Sequence, residues 1–285
     1  MKKLWTVVVV LGLFGWLMGC ATGKSLDNFR GGSGGGGGST TSGNWDIELT
    51  SGTGGQIVGF GGHLVFTGSS VSGNLMPFDS SSSCLFPSQS SSSVAVSGTI
   101  SNGKLPLNIA TNGGTFAVTL TVPSGSSTVT SMSGTYSTTS GCLGTLSGSV
   151  SAKLVSGPLG GTWTGTDTAG NGAVLSFDFA VANSATATGS LQGTFQITPV
   201  SVNITPPAGC VVSGTTLNAD SFAAGELLFL DVSESENGTP AEFLVYGVVD
   251  SATAPANFTG GYAYVSGGSC LLNTAGEGGF TLTKQ

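Results

Sequence analysis

Phe116-Ala117-Val118-Thr119-Leu120-Thr121-Val122 places a large apolar side chain at every second position, with small or polar residues between. That is the period of a β-strand with one face in a core and the other in water. The same alternation recurs where Phe177, Phe179 and Val181 flank Asp178 and Ala180, and where Phe243, Val245 and Val249 stand around Gly247. Turn signals separate such runs: Ser101-Asn102-Gly103, Thr111-Asn112-Gly113-Gly114, Asn171-Gly172 and Asn237-Gly238. Asn102-Gly103 and Asn237-Gly238 suit two-residue hairpins, in which both central residues reach positive φ. No 3.6-residue period is found after residue 20. The chain therefore reads as all-β, with strands in antiparallel meander order.

Composition agrees. Glycine supplies 49 of the 285 residues, only 7% are charged, and 39% are hydrophobic, which is enough to build a core. The formal net charge of −7 excludes the basic face that a nucleic-acid partner requires.

From Trp45 onward the landmarks come twice in the same order. Gly43-Asn44-Trp45 opens one copy and Gly161-Thr162-Trp163 the other. A cysteine follows each tryptophan (Cys84, Cys210), then Ser-Gly-Thr (97–99, 213–215), a glycine-led tyrosine (Tyr136, Tyr262) and a second cysteine (Cys142, Cys270). The divisions are a β domain over 44–156 and its repeat over 159–285, with a seam at Ser156-Gly157-Pro158. Four cysteines allow three pairings, and the repeat selects the one that closes each copy on itself, Cys84–Cys142 and Cys210–Cys270. Each copy, with about seven or eight strands, is predicted to form a small barrel, or alternatively a β-sandwich. The barrel is preferred because closure removes edge strands that so few charges would protect.

The start of the chain is of a different kind. Met1-Lys2-Lys3 and the apolar run to Leu17 form an export signal over 1–19, too short to span a bilayer. Leu17-Met18-Gly19-Cys20 resembles the bacterial lipobox, with Met18 where a small residue is usual. The resemblance implies cleavage before Cys20 and a diacylglycerol, with palmitate-type acylation, on its thiol. Ala21, in place of a retention Asp, implies the outer membrane. Residues 20–43 then form a Gly/Ser tether whose root-mean-square reach is roughly 25–30 Å. The membrane, through this anchor, is the one partner the sequence specifies; any envelope or extracellular partner is unspecified.

Gly-x-Trp at the head of each copy resembles the opening motif of calycin-type barrels, the lipocalins and avidins. It covers three residues per copy, and the C-terminal helix of lipocalins is missing. Trp45 and Trp163 precede both cysteines of their copies, unlike the tryptophan of immunoglobulin domains, which lies between them.

Candidate chemistry is sparse. Gly31-Gly32-Ser33-Gly34-Gly35 satisfies G-x-S-x-G but lies in the tether, without a strand-to-helix elbow. His63 is the only histidine, and reads as a turn or surface residue. The second copy holds ten of the fourteen acids, most densely at Asp231, Glu234 and Glu236. This cluster reads as a solvated loop, with Ca²⁺ binding or a carboxylate pair as lesser alternatives. Tyr246, Tyr262 and Tyr264 are candidates for lining a pocket. The expectation is a lipid-anchored envelope protein of non-enzymatic binding, adhesion or structural role, without cofactor. A calycin-like carrier of a small apolar ligand is the alternative, and an envelope hydrolase using domain 2 carboxylates is the third reading.

Overall fold

Inward alternation of apolar side chains, read from the sequence, becomes two barrels in the computed structural model, which describes residues 41–52, 57–79, 92–111, 114–124, 128–139, 144–167, 172–268, 270–271 and 277–285. The first barrel comprises β1 (Gly43–Ser51), β2 (Ile57–Thr67), β3 (Ser70–Asp79), β4 (Val94–Thr99), β5 (Lys104–Thr111), β6 (Gly114–Thr121), β7 (Ser131–Thr139) and β8 (Ser147–Leu154). All ladders are antiparallel, in the order β4-β3-β2-β1-β8-β7-β6-β5, so β1 sits mid-sheet, between β2 and β8. The barrel is nearly closed. β4 and β5 are joined by a two-residue hairpin at Asn102-Gly103, where φ is 51° and 70°, but share only the Ser101–Lys104 bridge. Pro106 lies on β5 at this seam and has no N–H to offer.

The second barrel comprises β9 (Gly161–Asp167), β10 (Val174–Val181), β11 (Phe195–Thr205), β12 (Val212–Leu217), β13 (Phe222–Ala224), β14 (Leu227–Glu236), β15 (Thr239–Val249), β16 (Asn257–Ser266) and β17 (Glu277–Lys284). Here the ring closes: the ladder runs from β14 through β13, β11, β10, β9, β17, β16 and β15 back to β14. β12 and β13 line the same edge of β14 in succession, so one barrel strand is supplied in two pieces. Both sheets are thus meander barrels, not stacked layers, and the all-β, two-domain expectation holds.

The shared landmarks fall on strands of the same rank. Ser97-Gly98-Thr99 is on β4 and Ser213-Gly214-Thr215 on β12; Tyr136 is on β7 and Tyr262 on β16. Trp45 and Trp163 are fully buried, and each indole N–H donates to the carbonyl four residues earlier, Thr41 and Leu159, at 2.9 Å. Trp45, Phe60 and Phe116 fill the first interior, and Trp163, Phe177 and Phe258 the second. A Cys210–Cys270 disulfide closes the second barrel on itself. Cys20, Cys84 and Cys142 lie outside the described residues.

Candidate functional site

A third apolar cluster belongs to neither interior. Met76 and Phe78, on the outer face of β3, pack with Phe222, Ala224, Leu227, Phe229 and Leu244 of the second barrel. Phe222 and Phe229 stack at 5.1 Å between centroids. This is the junction between the barrels, and glycine makes it possible. A Cβ on Gly61 would stand 2.0 Å from the Ala224 carbonyl oxygen, so only glycine lets the two backbones meet there. The approaching piece is the β13–β14 hairpin turn, Gly225-Glu226. Gly225 has φ +61°, as the first position of a type II′ turn requires.

Side chains from β1 hold that turn. Alternation sends Trp45, Ile47 and Leu49 into the first barrel, leaving Asn44, Asp46 and Glu48 on its outer face. The Asn44 side chain accepts from the Gly225 N–H at 2.7 Å and donates to the Gly225 carbonyl at 3.0 Å. Asp46 Oδ1 accepts from the Glu226 N–H at 3.2 Å. On β2 the His63 backbone N–H donates to the Gly193 carbonyl at 2.9 Å, and its ring meets Phe195 edge-on. His63 therefore has a packing role mid-strand, and burial pushes its pKa down.

This placement gathers Asp46, Glu48 and Glu226, with one carboxylate oxygen of each within 4.8 Å of the others. Asp46 is 1% exposed. Burial first, then repulsion from Glu226, pushes its pKa up to about 8. Burial also raises Glu226, against the pull of Lys153. Lys153 Nζ lies 3.6 Å from Glu48 Oε2, where both side chains reach solvent. These hard oxygen donors are a set that one cation can bridge.

Asp231, Glu234 and Glu236 share β14 but not a face. Leu228, Leu230 and Val232 point into the second barrel, and by the same parity so do Glu234 and Glu236, whereas Asp231 points outward. Asn218 donates to Asp231 at 2.8 Å, and burial pushes its pKa up to about 6. Glu236 accepts from the Cys270 N–H at 2.8 Å and from the Tyr264 hydroxyl, beside the disulfide. Glu234 is buried; desolvation, then its contact with Glu236, raises its pKa to about 8. The three are not a solvated hairpin loop, and the fold does not bring them together. Cys210 and Cys270 also stand within ligand distance of Glu236, but their sulfurs are bonded to each other.

Tyr262 and Tyr264 do share an inward face. The Tyr262 hydroxyl donates to Asp167 at 3.1 Å, whereas Tyr246 packs against the junction cluster outside the barrel. Tyr262 and Tyr264 brace the wall from inside, and Tyr246 does not share their face. The junction acids escaped the sequence reading because Glu226 is 180 residues from Asp46. A local signal was present in Asp46-Ile47-Glu48, two acids on one face of a strand in a chain nearly free of charge. This chain matches no family model, no curated protein and no solved structure.

Proposed function

We propose that this chain is an exported bacterial lipoprotein, held at the envelope by acylated Cys20, whose paired barrels serve a non-enzymatic binding or structural role. The observation that favours this reading over the calycin-like carrier is the packing of both interiors. Trp45, Ile47, Leu49, Phe60 and Phe116 in one barrel, and Trp163, Phe177, Phe179, Phe243 and Phe258 in the other, are at most 2% exposed. A carrier needs a cavity of several hundred Å³ where these side chains stand. The meander barrel with a plugging tryptophan accords with the calycin-type outline, and its filled interior speaks against the carrier function. The hydrolase reading has no support in Glu234 and Glu236, which sit beneath the barrel wall. The Cys210–Cys270 bridge suits an oxidising compartment outside the cytoplasm.

Fractionation of cells carrying Cys20→Ser tests the anchor. The variant is expected in the soluble extracytoplasmic fraction, because two or more acyl chains hold a protein far more firmly than one. Recovery in the membrane pellet at the wild-type level overturns it. Pull-down on intact envelopes tests the binding role, with a saturable protein partner as the expected result.

A further inference from the structure

Asp46 and Glu48 belong to the first barrel and Glu226 to the second, and their carboxylates converge on one point of the junction. Three acids on a surface are not a site. Here, however, Asp46 is 1% exposed, and its Oδ2 is buried without a hydrogen-bond partner among the described residues. Its Oδ1 is already engaged by the Glu226 N–H. A buried carboxylate oxygen without a donor is costly unless a proton or a cation meets it. Lys153 lies at the exposed end of the cluster, against Glu48, so one ammonium faces three carboxyl groups.

We propose that Asp46, Glu48 and Glu226 bind a divalent cation, Ca²⁺, that ties the two barrels together at their junction. The donor set is all oxygen, which suits a hard cation, and no imidazole or thiolate among the described residues joins it. Ca²⁺ accepts six to eight oxygens in irregular geometry, so three carboxylates with water on the open side suffice. Mg²⁺ demands a tighter octahedron and dehydrates reluctantly. Glu48 is 37% exposed, and it and Lys153 form the entrance: the ammonium swings into water as the ion arrives. The gap left by the absent side chain of Gly61, opposite Asp46 in the β1–β2 ladder, lets Glu226 come close enough to complete the set. This inference does not depend on the lipid anchor.

The test uses the purified full-length protein in detergent, stripped with EDTA and titrated with CaCl₂, by calorimetry and by thermal melting beside NaCl at matched ionic strength. One saturable site is expected, with a dissociation constant in the range of about 10⁻⁴–10⁻³ M typical of extracytoplasmic modules. Ca²⁺ should raise the melting temperature more than NaCl does, since screening alone acts through ionic strength. MgCl₂ should bind more weakly. Asp46→Asn should abolish uptake. Because that residue also holds the Glu226 N–H, Glu48→Gln at the exposed edge is the second variant, and it should weaken uptake roughly tenfold or more. Asp220→Asn, outside this set of three carboxylates, should leave it unchanged. Absence of saturable uptake overturns the proposal, as does equal stabilisation by NaCl or uptake that persists in Glu48→Gln at wild-type strength.

Discussion

One amide side chain, that of Asn44, binds both the N–H and the carbonyl of Gly225, 181 residues away, as a neighbouring strand would. The contact joins the first strand of one barrel to a hairpin turn of the other. Asn44→Ala leaves both backbone groups without that partner, at roughly 1–3 kcal/mol if they stay buried. The expected readout is faster amide exchange at Gly225 and Glu226, with the interior strands of both barrels unchanged. Unaltered exchange at the turn refutes it.

Gly61→Ala tests the close approach. The new methyl would lie 2.0 Å from the Ala224 oxygen, and backbone faces it on that side. The junction must open, because overpacking between backbones is not relieved by a rotamer change. Small-angle scattering should show a more extended particle, and Met76 should become accessible to oxidation from its present 1% exposure. A variant with wild-type dimensions overturns the assignment of Gly61 to this role.

Stability should fall as pH rises through the neutral range, in part because of Glu234. Its folded pKa is about 8 against an ordinary 4.5. Below the ordinary value the group is protonated in both states and stability is at its fullest. Between the two values the unfolded chain has released the proton that the native barrel retains, so the native state loses ground up to about pH 8. Glu236, bonded to Tyr264 and the Cys270 N–H, faces it and adds to the effect. Glu234→Gln should remove roughly 2–4 kcal/mol of that decline. Asp46, Glu226 and Asp231 tilt the curve the same way and cancel when variant and wild type are compared. Parallel pH–stability curves would show that Glu234 is not the source.

Replacing Cys210 and Cys270 by alanine opens a loop of 60 residues. The chain-entropy model assigns its closure about 4 kcal/mol, a large share of the ~5–15 kcal/mol that holds a domain. Chemical denaturation followed by tryptophan fluorescence should show the signal of Trp163 moving to lower denaturant more than that of Trp45. Equal movement would show that the two barrels unfold as one cooperative unit.

The strands were legible because period two survives in a chain this poor in charge. The Phe116–Val122 alternation is β6 and its extension, and the Phe177 and Phe243 runs are β10 and β15. Asn102-Gly103 and Asn237-Gly238 take positive φ at both positions, as their chemistry demands. What sequence could not show is pairing between distant outer faces. Asn44 and Gly225 carry no mutual signature, and Gly61 looks like any other glycine until Ala224 is beside it. The acidic run at Asp231 is legible in composition but reads as one loop, whereas strand alternation separates Asp231 from Glu234 and Glu236.

β1, the first strand of this barrel, is as far from the β4–β5 seam as a strand of that barrel can be. A load applied at Gly43 thus meets the strand gripped on both edges, by β2 and β8, and bearing Asn44 and Asp46 against the neighbouring barrel. To extract β1, two ladders must slide together and the junction must yield with them. A load at the seam would peel strands one at a time. The weak place of this barrel is thereby set away from its first strand.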